Sequence, residues 1–314
     1  MRIAPLALGL LCCLPLAAQN AGDAQEAQLR ALIAQSPKLP ITCAALPIQP
    51  PRSGWEIGMT SWVANDGHGT TYIIQRGDKA DPIIALDSSG RVLRSWGTGM
   101  YVMPHAIRID QQGNIWTTDA ASSMVYKFTP QGQKLMEISV GGQPSPCPRN
   151  FCGTTDVAFA PNGNIFISDG YSNARVLEYS PDGKKIREWG SHGTGPGQFH
   201  LVHSVQVDEN GIVYVADREN GRVQRFDLDG KFLGEWDALG KPFSLTLRNG
   251  AIYVATQPRD RPNGAAGWLL KVDRKTGQVL GSVESTGNHG MEALANGELM
   301  VGPGPGLNQP QWCH

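Results

Sequence analysis

Four segments of this chain fall into one register when their turn glycines are aligned: "IDQQGNIWTTD" at Gly113, "FAPNGNIFISD" at Gly163, "VDENGIVYVAD" at Gly211 and "TLRNGAIYVAT" at Gly250. A weaker copy, "ALANGELMVG", turns at Gly297, and an N-terminal copy, "VANDGHGTTYIIQRGD", turns at Gly69. Copies spaced by roughly 40 to 50 residues, each a strand, a tight turn and a strand, have the period of propeller blades. Such a unit is a small antiparallel sheet that buries its faces only against its neighbours. Six copies therefore predict an all-β, six-bladed β-propeller as a single domain over residues 41–314. The 38 glycines and 22 prolines, scattered among β-branched and aromatic runs, agree with a turn-rich β fold.

The last copy is short, with only "ELMVGPGPGLNQPQWCH" after its turn begins. In a closed ring the first and last blades abut, so "TCAALPI" is placed to supply the missing outer strand, and a Cys43–Cys313 disulfide would lock the ring. The N-terminal "MRIAPLALGLLCCLPLAAQNAG" has an early Arg, a short apolar run and small residues near Ala17 and Ala18. That is the layout of a signal peptide over residues 1–18, which predicts an exported protein, periplasmic or secreted, with no membrane span in its mature form. Residues 19–40 are expected to be a flexible lead-in. Outside the leader four cysteines remain, Cys43, Cys147, Cys152 and Cys313, an even number that suits disulfides in an exported chain and allows three connectivities. A net charge of −1 and the lack of a basic run give no basis for binding nucleic acid.

Counting back eight residues from the turn glycines reaches the start of each innermost strand. At Gly113, Gly211 and Gly297 the count reaches His105, His203 and His289; in the intervening copies it reaches Ser61, Thr155 and Pro242. Three of the seven histidines thus recur in alternate blades, a three-fold arrangement around the central channel. Three converging neutral imidazoles with an open fourth position make a zinc-type site that also suits other first-row divalent metals. His68, His192, His200 and His314 lack the register. The second strand returns to the starting face seven or eight residues after the glycine, which puts Arg76, Tyr171 and Arg218 there. One phenol and two guanidinium groups beside three imidazoles suit an anionic substrate, with Tyr171 as proton acceptor and the arginines as carboxylate clamps. Asp119, Asp169 and Asp217 repeat six residues after their glycines, and such repetition reads as structural hydrogen bonding to turn backbone.

The stretches "MPHAIRID", "TDVAFAPNGNIFISDGYSNARV", "REWGSHGTGPGQFHLVHSVQVD" and "VADRENGRVQRFD" resemble the peptidyl-α-hydroxyglycine α-amidating lyases, six-bladed propellers related to NHL-repeat proteins. The resemblance is strong over about residues 100–237, recognisable over 56–99 through "QRGD", and weak after 240. It implies cleavage of a peptidyl- or N-acyl-α-hydroxyglycine to an amide and glyoxylate, with zinc on His105, His203 and His289. It implies Tyr171 as base on the substrate hydroxyl, Arg76 lowering the pKa of that phenol, and Arg218 gripping the substrate carboxylate. It further implies a calcium ion on the backbone carbonyls of Val63 and Ile107 and on an Asp directly after the third histidine, a position that is Gly290 here. A family cysteine is Ser172 in this chain, which leaves Cys147 as the partner for Cys152. No hydroxylating domain accompanies the propeller, so a separate hydroxylating enzyme would supply the substrate. Two other readings suit the fold: a metal-dependent lactone or ester hydrolase, whose sites usually use carboxylate ligands, and a non-catalytic propeller binding a peptide, glycan or envelope partner.

Overall fold

A computed structural model describes residues 16–142, 151–304 and 308–314. Six four-stranded antiparallel sheets are arranged as the blades of a propeller. Their inner strands are Thr60–Asn65, Pro104–Ile109, Thr154–Phe159, Val202–Val207, Lys241–Arg248 and Gly290–Ala293, in blades 1 to 6. Each blade packs its apolar residues against the next: the core between blades 1 and 2 joins Trp62, Tyr72 and Ile74 to Ala106, Ile115 and Phe128. Blades 3 and 4 meet through Phe166 and Val176 against Val205, Val215 and Phe226. Dispersion and apolar burial between blades, rather than one central core, hold the ring together.

Ring closure follows the expectation. Blade 6 has the strand order Gly290–Ala293, Leu299–Gly302, Gln311–Cys313 and, outermost, Cys43–Ala45 from the start of the chain. Cys43 lies opposite Cys313 in this pairing, and the two form a disulfide across a sequence separation of 270 residues. Cys152 is also disulfide-bonded; Cys147, its expected partner, lies outside the described residues.

The flexible lead-in expected over residues 19–40 is corrected: a helix, α1, spans Leu16–Gln35. Its Leu29 and Ile33, four residues apart and so on one face, are buried against Leu239, Val272 and Val279 of the blade 4–5 junction. Polar contacts fix its flank, where Glu26 accepts from the Arg259 backbone N–H at 2.8 Å and Arg30 bridges Glu26 and Asp260. Among the described residues no helix is long and apolar enough to cross a membrane.

Candidate metal centre

The inner strands do not run in unbroken register. Pairing with the second strand slips between Thr60 and Trp62, Pro104 and Ile107, Thr154 and Asp156, Val202 and Ser204, and Pro242 and Ser244. A bulge thus recurs at one level in five blades, and its extra residue is re-aimed out of the strict alternation of a strand. His105 and His203 occupy this level in blades 2 and 4, and His289 stands just before the inner strand of blade 6. The structure brings the three together. Their ligating atoms lie within 4.8 Å of one another, and their ring centroids are 5.0, 4.8 and 4.9 Å apart, a nearly equilateral triangle.

The orientation of each ring is set by the neighbouring blade. His105 Nδ1–H donates to the Thr155 carbonyl at 2.6 Å, His203 Nδ1–H to the Phe243 carbonyl at 2.5 Å, and His289 Nδ1–H to the Ser61 carbonyl at 2.9 Å. A carbonyl can only accept, so each Nδ1 carries the proton and each Nε2 keeps its lone pair. Burial, reinforced by the nearby arginines and, for His105 and His203, by the other imidazoles, pushes all three well below the ordinary imidazole range, His289 to about 3. Neutral rings with inward lone pairs, held by outer carbonyls, meet the requirements of a first-row divalent metal site. The indole of Trp62 underlies the triangle at 5.9, 6.3 and 6.0 Å from the three rings.

Tyr171 covers the triangle from the other side, its hydroxyl 2.9 Å from His105 Nε2 and 3.3 Å from His203 Nε2. Arg76 is anchored by Nε to the Pro104 carbonyl at 2.8 Å and by a terminal nitrogen to Ser61 Oγ at 2.9 Å. Arg218 is buried over the faces of Phe243 (4.6 Å) and Tyr171 (6.0 Å), with Nε donating to Glu219 at 2.8 Å. The charges of Arg218 and Arg76 act on the Tyr171 pKa in the expected direction, downward, but they do not set its net shift. Burial is the largest effect and raises it, while Arg218 and then Arg76 pull it back.

Sequence counting missed several residues around this centre. Phe243, not Pro242, occupies the bulge level of blade 5. The cause is turn length: blade 5 turns through Asn249 and Gly250 alone, both with positive φ, whereas blade 4 leaves five residues between Val207 and Val213. Phe151, 5.0 Å from the Tyr171 ring, and Trp62 carried no register signal. The remaining histidines are exposed and apart from the triangle. The repeated aspartates are structural: Asp119 accepts from the N–H groups of Val102, Met103, Ala121 and Ser122, Asp217 from that of His200 and from the Arg222 side chain, and Asp169 from the side chains of Asn173 and Arg175.

The calcium position does not fit. No carboxylate directly follows His289, and a Cβ placed on Gly290 would run into the Trp62 indole and the Ser61 carbonyl. Val63 and Ile107 lie directly after Trp62 and directly before Arg108, whose side chains fill this part of the channel.

A family model described as "6-bladed beta-propeller" matches residues 153–282. "Peptidyl-glycine alpha-amidating monooxygenase" of Mus musculus is 36% identical over 205 residues, covering 55% of this chain and 21% of that protein. "Probable peptidyl-alpha-hydroxyglycine alpha-amidating lyase pgal-1" of Caenorhabditis elegans is 30% identical over 235 residues, covering 70% of this chain and 66% of that protein. "NHL repeat-containing protein 3" of Homo sapiens is 34% identical over 193 residues, covering 57% of this chain and 55% of that protein. The chain thus spans only part of the curated relatives it matches, about a fifth of the mouse protein. A solved "Streptogramin B lyase structure" superposes with a TM-score of 0.57 at 16% identity, covering 87% of this chain and 97% of that one, which is a likeness of fold alone.

Proposed function

Because this chain belongs to the NHL-related six-bladed propellers that include the peptidyl-α-hydroxyglycine α-amidating lyases, we propose that it is an exported carbon–nitrogen lyase. Its substrate is a peptidyl- or N-acyl-α-hydroxyglycine, and its products are the amide and glyoxylate. The observation that carries this reading is the Tyr171 hydroxyl set against two of three converging, carbonyl-oriented imidazoles. A first-row divalent ion, zinc foremost, on the three Nε2 atoms would supply positive charge that acidifies a neighbouring hydroxyl.

The chain's own residues account for the proton and the charge. Tyr171 as phenolate takes the proton of the substrate hydroxyl; the released electron pair forms the C=O of glyoxylate as the C–N bond breaks. The departing amide nitrogen takes its proton back from the same phenol, so the base is regenerated without a net proton change. Arg218, packed flat on Phe243, meets the substrate carboxylate, and Arg76, fixed by two hydrogen bonds, keeps a positive charge beside the phenolate. A hydroxylation of the glycine α-carbon must precede this cleavage.

Glyoxylate release from α-hydroxyhippurate tests these roles. Tyr171→Phe removes the proton acceptor and is expected to lower kcat by about 100-fold or more with metal content unchanged. Arg218→Met is expected to lower kcat/KM by about 10- to 100-fold, the worth of a charge-assisted hydrogen bond. A fully active Tyr171→Phe enzyme contradicts the base assignment.

A further inference from the structure

Below the three histidines the channel is occupied by a side-chain network that touches every blade. Arg108 of blade 2 forms a bidentate pair with Asp156 of blade 3, at 2.9 Å from Nε and 2.7 Å from a terminal nitrogen. The same guanidinium donates to the Leu245 carbonyl of blade 5 at 2.9 Å and the Met291 carbonyl of blade 6 at 3.3 Å. Ser204 of blade 4 donates to Asp156 at 2.6 Å and accepts from the Leu245 N–H at 3.1 Å. Trp62 of blade 1 completes the set, with the guanidinium 4.9 Å from its ring. Arg108 and Asp156 are both buried.

The Glu292 carboxylate of blade 6 lies 3.6 Å from the same guanidinium, and one positive charge held by backbone carbonyls and carboxylates from several blades is the arrangement that a structural metal ion makes. We propose that the Arg108 guanidinium, roofed by Trp62, acts as a covalently tethered structural cation in this channel, so that the channel has a single metal position, the histidine triangle. Trp62 fills the space that a side chain at position 290 would need, and Gly290 is the residue that lets the indole lie there. A second divalent ion in the same part of the channel would face the buried guanidinium at short range, where like charges repel. The arrangement also accounts for Arg108, which the lyase chemistry does not use.

The test needs no catalysis, so its outcome is independent of the proposed reaction. The full mature chain is equilibrated with zinc and calcium together, freed of unbound ions, and assayed for metal by mass spectrometry; its melting temperature is measured with added calcium and with a calcium chelator. The expected result is zinc without stoichiometric calcium, and a melting temperature that neither treatment moves, since an ion that does not bind the folded state cannot stabilise it. Stoichiometric calcium, or a melting temperature raised by calcium, overturns the proposal. Arg108→Met, which keeps the stem and removes the charge, leaves the buried Asp156 carboxylate without its guanidinium counter-charge; its melting temperature is expected to fall by about 5 °C or more. An Arg108→Met chain that melts with the wild type also overturns it, and if the variant does not fold, the wild-type measurements decide alone.

Discussion

A neutral imidazole binds a metal only when its lone pair is aimed, and here the aim comes from outside the ring. Each Nδ1–H is committed to a carbonyl of the next blade, Thr155, Phe243 or Ser61, so rotating a ring away would leave a buried donor and acceptor unpaired. The same burial makes the metal-free protein acid-sensitive. His289 is held near 3 in the fold against about 6.5 unfolded, and His105 and His203 shift the same way. A depressed folded pKa means that the unfolded chain takes up the proton first. The stabilising contribution is therefore complete above about pH 6.5 and is lost as pH falls towards 3, at up to about 1.4 kcal/mol per pH unit for each histidine. The metal-stripped protein is expected to show a lower urea midpoint at pH 5.5 than at pH 7.5; an equal or higher midpoint at pH 5.5 contradicts it. The histidines were legible because a constant count from a turn glycine survives in blades 2, 4 and 6. Phe243 was not, because a two-residue turn shifts the count by one. Trp62 and Arg108 were not, because their importance lies in contacts between blades that no spacing within one blade reports.

At the scale of the elements, the blade period was readable from the glycine turns, and the outer strand of blade 6 from the shortness of the last copy. The helix α1 was not. Its buried contacts are Leu29 and Ile33 in an otherwise polar and alanine-rich stretch, too few to stand out beside an apolar leader. Docking supplies what its own pattern lacks, since short helices gain most of their stability from tertiary packing. Leu29→Ala is expected to cost about 2–5 kcal/mol if blade 5 unfolds with the domain. Thermal unfolding checks this: a variant that melts with the wild type would mean that α1 detaches before the propeller melts. The Cys43–Cys313 link closes a loop of 270 residues at the ring's seam. Its removal by Cys43→Ala with Cys313→Ala is expected to lower stability by up to about 5 kcal/mol, because the denatured chain regains the freedom the link removes. An unchanged denaturant midpoint would show that strand pairing alone closes the ring.

At the scale of the whole molecule, three-fold convergence follows from six-fold architecture: alternate blades deliver one histidine each, and the ring brings their ligating atoms within 4.8 Å of one another. Fold alone does not choose the reaction, since propellers carry many functions. The choice here rests on a buried phenol over the triangle, flanked by two arginines, in a chain whose relatives include amidating lyases. The most direct test of that choice is to incubate the zinc-loaded mature protein with α-hydroxyhippurate and quantify every product. The account predicts benzamide and glyoxylate in equal amounts, abolished when the metal is removed and restored when it is returned. Benzoate in place of benzamide, or no turnover by protein carrying a full complement of metal, would contradict it.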